Sequence, residues 1–165
     1  HRYGRRQRQM CIRDSVHPGR DQNQPQEVAE FVAARGGDLS RVVLSHIDRT
    51  IADQDTLFRL ADTGSVIEFD LFGQEQSLYG LNLQCDLPND AIRLRMIRQL
   101  IDRGHLDQIT ISHDICYRSR LKAFGGHGYG HIFRNVLPLM RRRRFTEAEI
   151  QRIMVETPRR LLTFV

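Results

Sequence analysis

The 165-residue sequence predicts an α/β fold on a parallel sheet, namely half of a (β/α)8 TIM barrel. Three observations predict it. Short apolar runs alternate with amphipathic stretches, at roughly 25 to 40 residues per unit, which is the rhythm of parallel strands joined by helical crossovers. Three of the runs stop at a residue that binds metals or moves protons, and barrels carry their chemistry at strand ends. No Gly-x-Gly-x-x-Gly follows a strand to open a helix, so the doubly wound dinucleotide fold lacks its fingerprint. Gly125-Gly126-His127-Gly128-Tyr129-Gly130 is superficially similar but lies well past the end of its strand.

Residues 1–15 stand apart from this pattern. They hold five Arg and one Asp and show no period of 2 or 3.6, so they read as a non-native or disordered basic tail. The chain has no initiating Met at position 1 and is expected to start inside a longer gene. Residues 16–165 are the expected partial barrel domain. Val16-His17-Pro18-Gly19-Arg20 is the end of a strand followed by a turn. A helix begins at Pro25, with an apolar side of Val28, Ala29, Phe31, Val32 and Ala33, and Gly36-Gly37 stops it. Residues 41–46 form a strand that ends in His46, and 53–61 a helix with Leu57, Phe58, Leu60 and Ala61 inward. Residues 65–70 are the next strand, and 73–89 are irregular. The following helix, 91–102, has Ile92, Met96, Ile97, Leu100 and Ile101 on its apolar face. Ile109-Thr110-Ile111 is the last strand and runs into Ser112-His113-Asp114. A Gly-rich loop spans 119–130, a helix 131–140, a capping box opens at Thr146 with Glu149, and a last helix spans 158–162.

Composition narrows the functional classes. The net charge is +5, but without the five Arg and one Asp of the tail the body holds 20 basic and 19 acidic groups. A near-neutral body argues against a nucleic-acid footprint. The run Arg141-Arg142-Arg143-Arg144 is followed by Glu147 and Glu149, and no aromatics interleave with the charges as single-strand stacking requires. Of the 25 basic residues only Lys122 is a lysine, a compositional habit more than a phosphate-binding pattern. No apolar stretch approaches the roughly 20 residues of a membrane span. Cys11, Cys85 and Cys116 are scattered and odd in number, against a disulfide scaffold. The expected setting is the reducing cytoplasm, with a small-molecule substrate, no nucleic acid, no membrane, and room for a homo-oligomer.

The candidate chemistry lies at the strand ends. His17, His46 and Asp114 terminate three βα units, and a barrel points such groups at one spot. Neutral imidazole and carboxylate suit zinc, manganese or cobalt, and Asp114 also suits a general base. Each residue has a plain alternative as a hydrogen-bonding side chain. Alternation along the strand turns His113 away from Asp114, and His105 after Gly104 is expected at the surface.

Five segments carry a family resemblance. They are Val16-His17-Pro18-Gly19-Arg20, Ser45-His46-Ile47-Asp48-Arg49-Thr50, Glu68-Phe69-Asp70-Leu71-Phe72-Gly73, Ile111-Ser112-His113-Asp114 and Gly125-Gly126-His127-Gly128-Tyr129. Together, in this order and spacing, they resemble the phosphotriesterase-related proteins of the phosphotriesterase family, in the amidohydrolase superfamily. The resemblance covers residues 16–165 and implies the C-terminal half of a (β/α)8 barrel, from strand 5 to strand 8. It implies a hydrolase with two divalent metals, zinc or else manganese or cobalt, in which a metal-bound hydroxide attacks an ester, lactone, amide or phosphotriester. His17 and His46 then bind the more exposed metal. Asp114 binds the more buried one and accepts a proton from the hydroxide.

The sequence also departs from the family pattern. Arg49 stands where the founding phosphotriesterases carry an Asp, with Asp48 just before it, and Leu71 stands where they carry a His. These departures point away from organophosphates and toward amides or esters. Arg20 and Arg49 are candidate partners of a substrate carboxylate or sulfonate, or else they pair with Asp21, Asp48 or Asp53. His127 and Tyr129 are candidate pocket residues from the last loop. The family's strand-1 His-x-His and strand-4 bridging residue are absent, so the chain alone is expected to be inactive. A non-catalytic ligand-binding barrel remains the alternative, and metal content separates the two.

Overall fold

The computed structural model describes residues 14–163 except 78, 82, 84 and 85. Four strands, β1 (Asp14–Val16), β2 (Val42–Leu44), β3 (Val66–Phe69) and β4 (Ile109–Ile111), form one sheet in sequential order. Every neighbouring pair is parallel, with Val16 opposite Leu44, Leu44 opposite Ile67, and Ile67 opposite Ile109. Sequential parallel order with a helical crossover each time is the arrangement of a partial (β/α)8 barrel. Asp14 and Ser15 stand inside β1, two residues within the stretch read as a tail; 1–13 lie outside the described residues.

The crossovers are α1 (Gln24–Ala33), α3 (Gln54–Asp62) and α4 (Asp90–Asp102), and a short α2 (Ile47–Thr50) follows β2 directly. Asp53 and Asn89 cap α3 and α4 by accepting from the backbone N–H of Thr56 and Ile92. After β4 the chain makes two 3-10 turns and a π-helical turn, Ile132–Val136, that leads into α5 (Leu137–Arg142). α6 (Glu147–Gln151) opens on the expected Thr146 and Glu149 capping box. A second π-helical turn, Arg152–Glu156, joins α6 to α7 (Thr157–Leu162), so the last two helices form one continuous rod.

Strand alternation sorts the sheet's faces. Val42, Leu44, Ile67, Phe69 and Ile109 join the core formed with Ala29, Leu57, Leu60, Leu94, Ile97, Leu100, Met140 and Ile153 of the helices. The other face carries a polar row in which Ser15 Oγ lies 2.9 Å from Ser45 Oγ, and Ser45 donates to Glu68 Oε2 at 2.7 Å.

Two helices differ from the sequence pattern. On α4 the buried face is Arg93, Leu94, Ile97 and Leu100, while Ile92 is exposed. The face is rotated because the fully buried Arg93 meets two carboxylates, those of Asp48 and Asp90, which offset the cost of removing its charge from water. On α1 Phe31 points outward, with the Arg35 guanidinium 3.4 Å above its ring.

Candidate functional site

The strand ends bring His17 and His46 together. His17 follows β1 directly and His46 lies two residues beyond β2, at the N-cap of α2. Their rings meet edge to face, with centroids 4.3 Å apart. His46 Nε2 lies 2.8 Å from His17 Nδ1. The other nitrogen of His46, Nδ1, lies 2.9 Å from Asp70 Oδ1, and the His46 backbone N–H donates to Asp70 Oδ2 at 3.2 Å. Asp70 terminates β3, so the third strand end holds the second. With Nδ1–H donated to Asp70, the Nε2 lone pair of His46 points at His17. His17 then donates from Nδ1, and its Nε2 accepts from Arg49 Nη2 at 3.0 Å and from Arg20 Nη1 at 3.4 Å. Arg20 also donates from Nε to the Tyr79 hydroxyl at 3.2 Å.

The charges around this line favour a neutral ring at His17. Partial burial, then His46, Arg49 and Arg20, hold its pKa below the ordinary value, with Asp114 as the opposing influence. Neutral imidazole is the form that binds metals. Burial raises the Asp70 carboxyl to about 6, against the pull of its bond to His46. Arg49 is 4% exposed, and burial lowers its pKa. Among the described residues it forms no ion pair with a carboxylate. Asp48 is taken by Arg93, while Asp53 caps α3 and Asp21 accepts from the Asn23 N–H.

Asp114 lies past β4 and its backbone is left-handed, with φ of 44°. His46 is left-handed too, at 59°. Neither is a glycine, and side chains held in this region at strand ends mark positions where the surroundings over-determine the backbone. Asp114 Oδ2 stands 3.7 Å from Arg120 Nη1, which also donates to the Asp114 carbonyl. Gln74 Nε2 donates to the His113 carbonyl at 2.9 Å and reaches the Asp114 carbonyl at 3.5 Å.

The donor set of a divalent ion is represented in part. Two nitrogens on one tetrahedral ion, each at about 2.1 Å, stand about 3.4 Å apart, so the 2.8 Å hydrogen bond between His17 and His46 would open by about half an ångström to admit one. Among the described residues no group of three or more His, Cys, Asp or Glu is gathered tightly enough to hold an ion. The residues fit a metal as two aligned imidazoles with a carboxylate near them, not as a closed cage.

The remaining expectations fall as follows. Arg20 and Arg49 both reach the site. Tyr129 is 67% exposed. His127 packs with His113 and His131, at ring distances of 6.0 and 5.5 Å, and its Nε2 is buried without a hydrogen-bond partner. His113 turns from Asp114 into the helical layer, where its Nε2 accepts from the Ile132 N–H at 3.2 Å. Sequence reasoning did not single out Asp70, Gln74, Arg93 or Arg120. Asp70 carried the same signal as Asp114, an apolar strand that stops at a carboxylate.

Comparison with known proteins places these features. A model of the phosphotriesterase family matches residues 4–162. A phosphotriesterase-related protein of Nematostella vectensis is 46% identical over 149 residues, which are 90% of this chain and 43% of that protein. An N-acetyltaurine hydrolase of Bos taurus is 44% identical with the same coverage. The chain therefore spans less than half the length of these curated relatives. Among solved structures, a resiniferatoxin-binding protein from Rhodobacter sphaeroides matches at a TM-score of 0.82 and 33% identity, over 90% of this chain and 41% of that one. The phosphotriesterase homology protein from Escherichia coli, complexed with phosphate in its active site, matches at 0.71 and 31%, over 87% and 46%.

Proposed function

The chain belongs to the phosphotriesterase family, and from that premise we propose that it supplies part of the active centre of a metal-dependent hydrolase. The carrying observation is the His17–His46 pair, with facing ring nitrogens 2.8 Å apart and Asp70 fixing the far side of one ring. His17 and His46 would hold a divalent ion, zinc or else manganese or cobalt, with Asp114 as the carboxylate ligand. Such an ion supplies Lewis acidity, polarising the scissile group and making water acidic enough to attack near neutral pH.

This chain's own groups do the rest. Asp70 sets the His46 tautomer and ring plane, as outer-shell carboxylates do for metal-binding histidines. Asp114 accepts the proton of the attacking water. Arg120 steadies its carboxylate through the contact at Oδ2 and the bond to its carbonyl. Arg20 and Arg49 bind an anionic end of the substrate. A buried guanidinium without a carboxylate partner among the described residues favours an anion of fork-matching shape. The hydrolysed bond is an amide or ester, and an N-acyl amino-sulfonate is the substrate best supported. Two facts support it: the activity named for the Bos taurus relative, and the two guanidiniums beside His17.

The described residues supply two facing donors and no cluster of three, and on this reading the 165 residues by themselves do not turn over substrate. The test uses the longer protein that carries this chain, assayed on N-acetyltaurine and on a simple lactone with added zinc. Zinc-dependent hydrolysis of N-acetyltaurine that Asp114→Asn abolishes is the expected result. Turnover unchanged in Asp114→Asn contradicts the assignment. A second reading, a ligand-binding barrel without chemistry, has one support in the binding activity named for the Rhodobacter sphaeroides protein. It is favoured if the longer protein binds N-acetyltaurine without hydrolysing it at any metal concentration.

A further inference from the structure

Among the described residues Arg93 is the largest fully buried side chain, and none of its surface reaches solvent. It comes from α4, behind the sheet, yet its guanidinium is bonded to the loops that leave the strand ends. Its Nε donates to Asp48 Oδ2 at 2.6 Å, two residues after His46. Its Nη1 donates to Asp90 Oδ1 at 2.9 Å, and the same oxygen accepts from the Gly73 N–H at 2.9 Å. Its Nη2 donates to the Gln74 carbonyl at 2.8 Å. Asp48 Oδ2 in turn accepts from the Leu71 N–H at 3.1 Å. The segment 71–74 is therefore held at Leu71, Gly73 and Gln74 by one guanidinium and the two carboxylates it pairs with.

That segment lies between the two halves of the candidate centre. Immediately before it stands Asp70, which orients His46. At its end stands Gln74, whose side-chain amide holds the carbonyls of His113 and Asp114. Asp114 has a left-handed backbone, so its position depends on such outside bonds. We propose that Arg93 is a positioning residue that sets His46 and Asp114 relative to each other by locking the 71–74 segment between them. Its own bonds go to Asp48, Asp90 and the Gln74 carbonyl.

Charge alone does not do this. The planar fork serves three acceptors in different directions, Asp48, Asp90 and the Gln74 carbonyl. A lysine ammonium keeps the charge but cannot reproduce that spread. Gln74 is the last link to Asp114, and Gln74→Met removes its amide donor while keeping a similar length.

The inference rests on the hydrolase reading, and the test separates the two. Arg93→Lys, Gln74→Met and Asp114→Asn are made in the longer protein that carries this chain. Folding is checked by melting, and kcat, KM and zinc affinity by competition with a chelator are measured. Arg93→Lys and Gln74→Met are expected to lower kcat or weaken zinc binding about 10- to 100-fold, with KM changed less than about threefold. A residue that only packs would not produce that split in a protein that still melts cooperatively. If Arg93→Lys does not fold, Gln74→Met decides. If Gln74→Met retains kcat and zinc affinity while Asp114→Asn loses turnover, Arg93 does not position the centre and the hydrolase reading stands. If Asp114→Asn keeps full turnover, the hydrolase reading itself fails.

Discussion

The molecule holds two clusters of histidines that look alike in the sequence and differ in what their ring nitrogens are committed to. In the first, His17 and His46 face each other at the strand ends, and a third strand end, Asp70, fixes one ring from behind. In the second, His131 binds Asp90 Oδ2 at 2.6 Å through Nε2 and meets the Asn135 amide at 2.9 Å through Nδ1. His113 is bonded to the Ile132 N–H. Burial lowers the pKa of both His113 and His127, which favours the neutral form of each ring. The first cluster faces two ring nitrogens across one hydrogen bond at the strand ends, while the second ties loops to helices. Residue type alone did not distinguish them; the commitment of each nitrogen does.

The sharpest way to break the comparison is at Asp70. If the first cluster is a ligand set, Asp70→Asn frees the His46 tautomer and costs about 10- to 100-fold in zinc affinity or kcat, read by chelator competition and initial rates in the longer protein. An unchanged affinity would reduce that cluster to the status of the second. The matching change in the second cluster is His131→Phe. It removes a bond to a buried carboxylate and is expected to cost about 2 kcal/mol of stability by urea denaturation. A cost near zero would show that this cluster is not structural either.

The smallest effect lies away from both clusters, on the outer rod. Glu149 makes two bonds to Arg98, at 2.8 and 2.9 Å, and closes the capping box. The Arg98 bonds hold its carboxyl down at about 2. A depressed folded-state value contributes stability above the ordinary carboxylate range, and that stability is lost as pH falls toward about 2. Glu149→Gln is therefore expected to cost about 1 to 2 kcal/mol at pH 7, with the gap to wild type closing between about pH 4.5 and 2. A gap independent of pH would show that the ion pair contributes little.

Much of the fold was legible because its signals are local. Apolar runs of strand length and the capping box at Thr146 are set by nearest neighbours. The strands pair over fewer residues than the apolar runs suggested, because the run at 41–46 begins in a 3-10 turn, Leu39–Arg41, and gives way after Leu44 to a left-handed His46. The strand-end rule singled out His17, His46 and Asp114 in the sequence, and the structure brings His17 and His46 together. The rule should also have found Asp70, which obeys it. Arg93 was not legible. On a helical wheel it interrupts an apolar face, and only the distant Asp48 makes its burial tolerable. The same bond answers the Asp48–Arg49 question: burial raises the Asp48 pKa, Arg93 opposes that, and Arg49 is left beside His17.

The most direct test of the account is the metal content of the longer protein after exhaustive dialysis, in wild type and in His46→Ala. The account predicts tightly bound divalent metal in wild type and the loss of about one equivalent in His46→Ala, with the fold retained by circular dichroism. Equal metal content in the two proteins, or none in wild type under conditions that supply zinc and manganese, would contradict it.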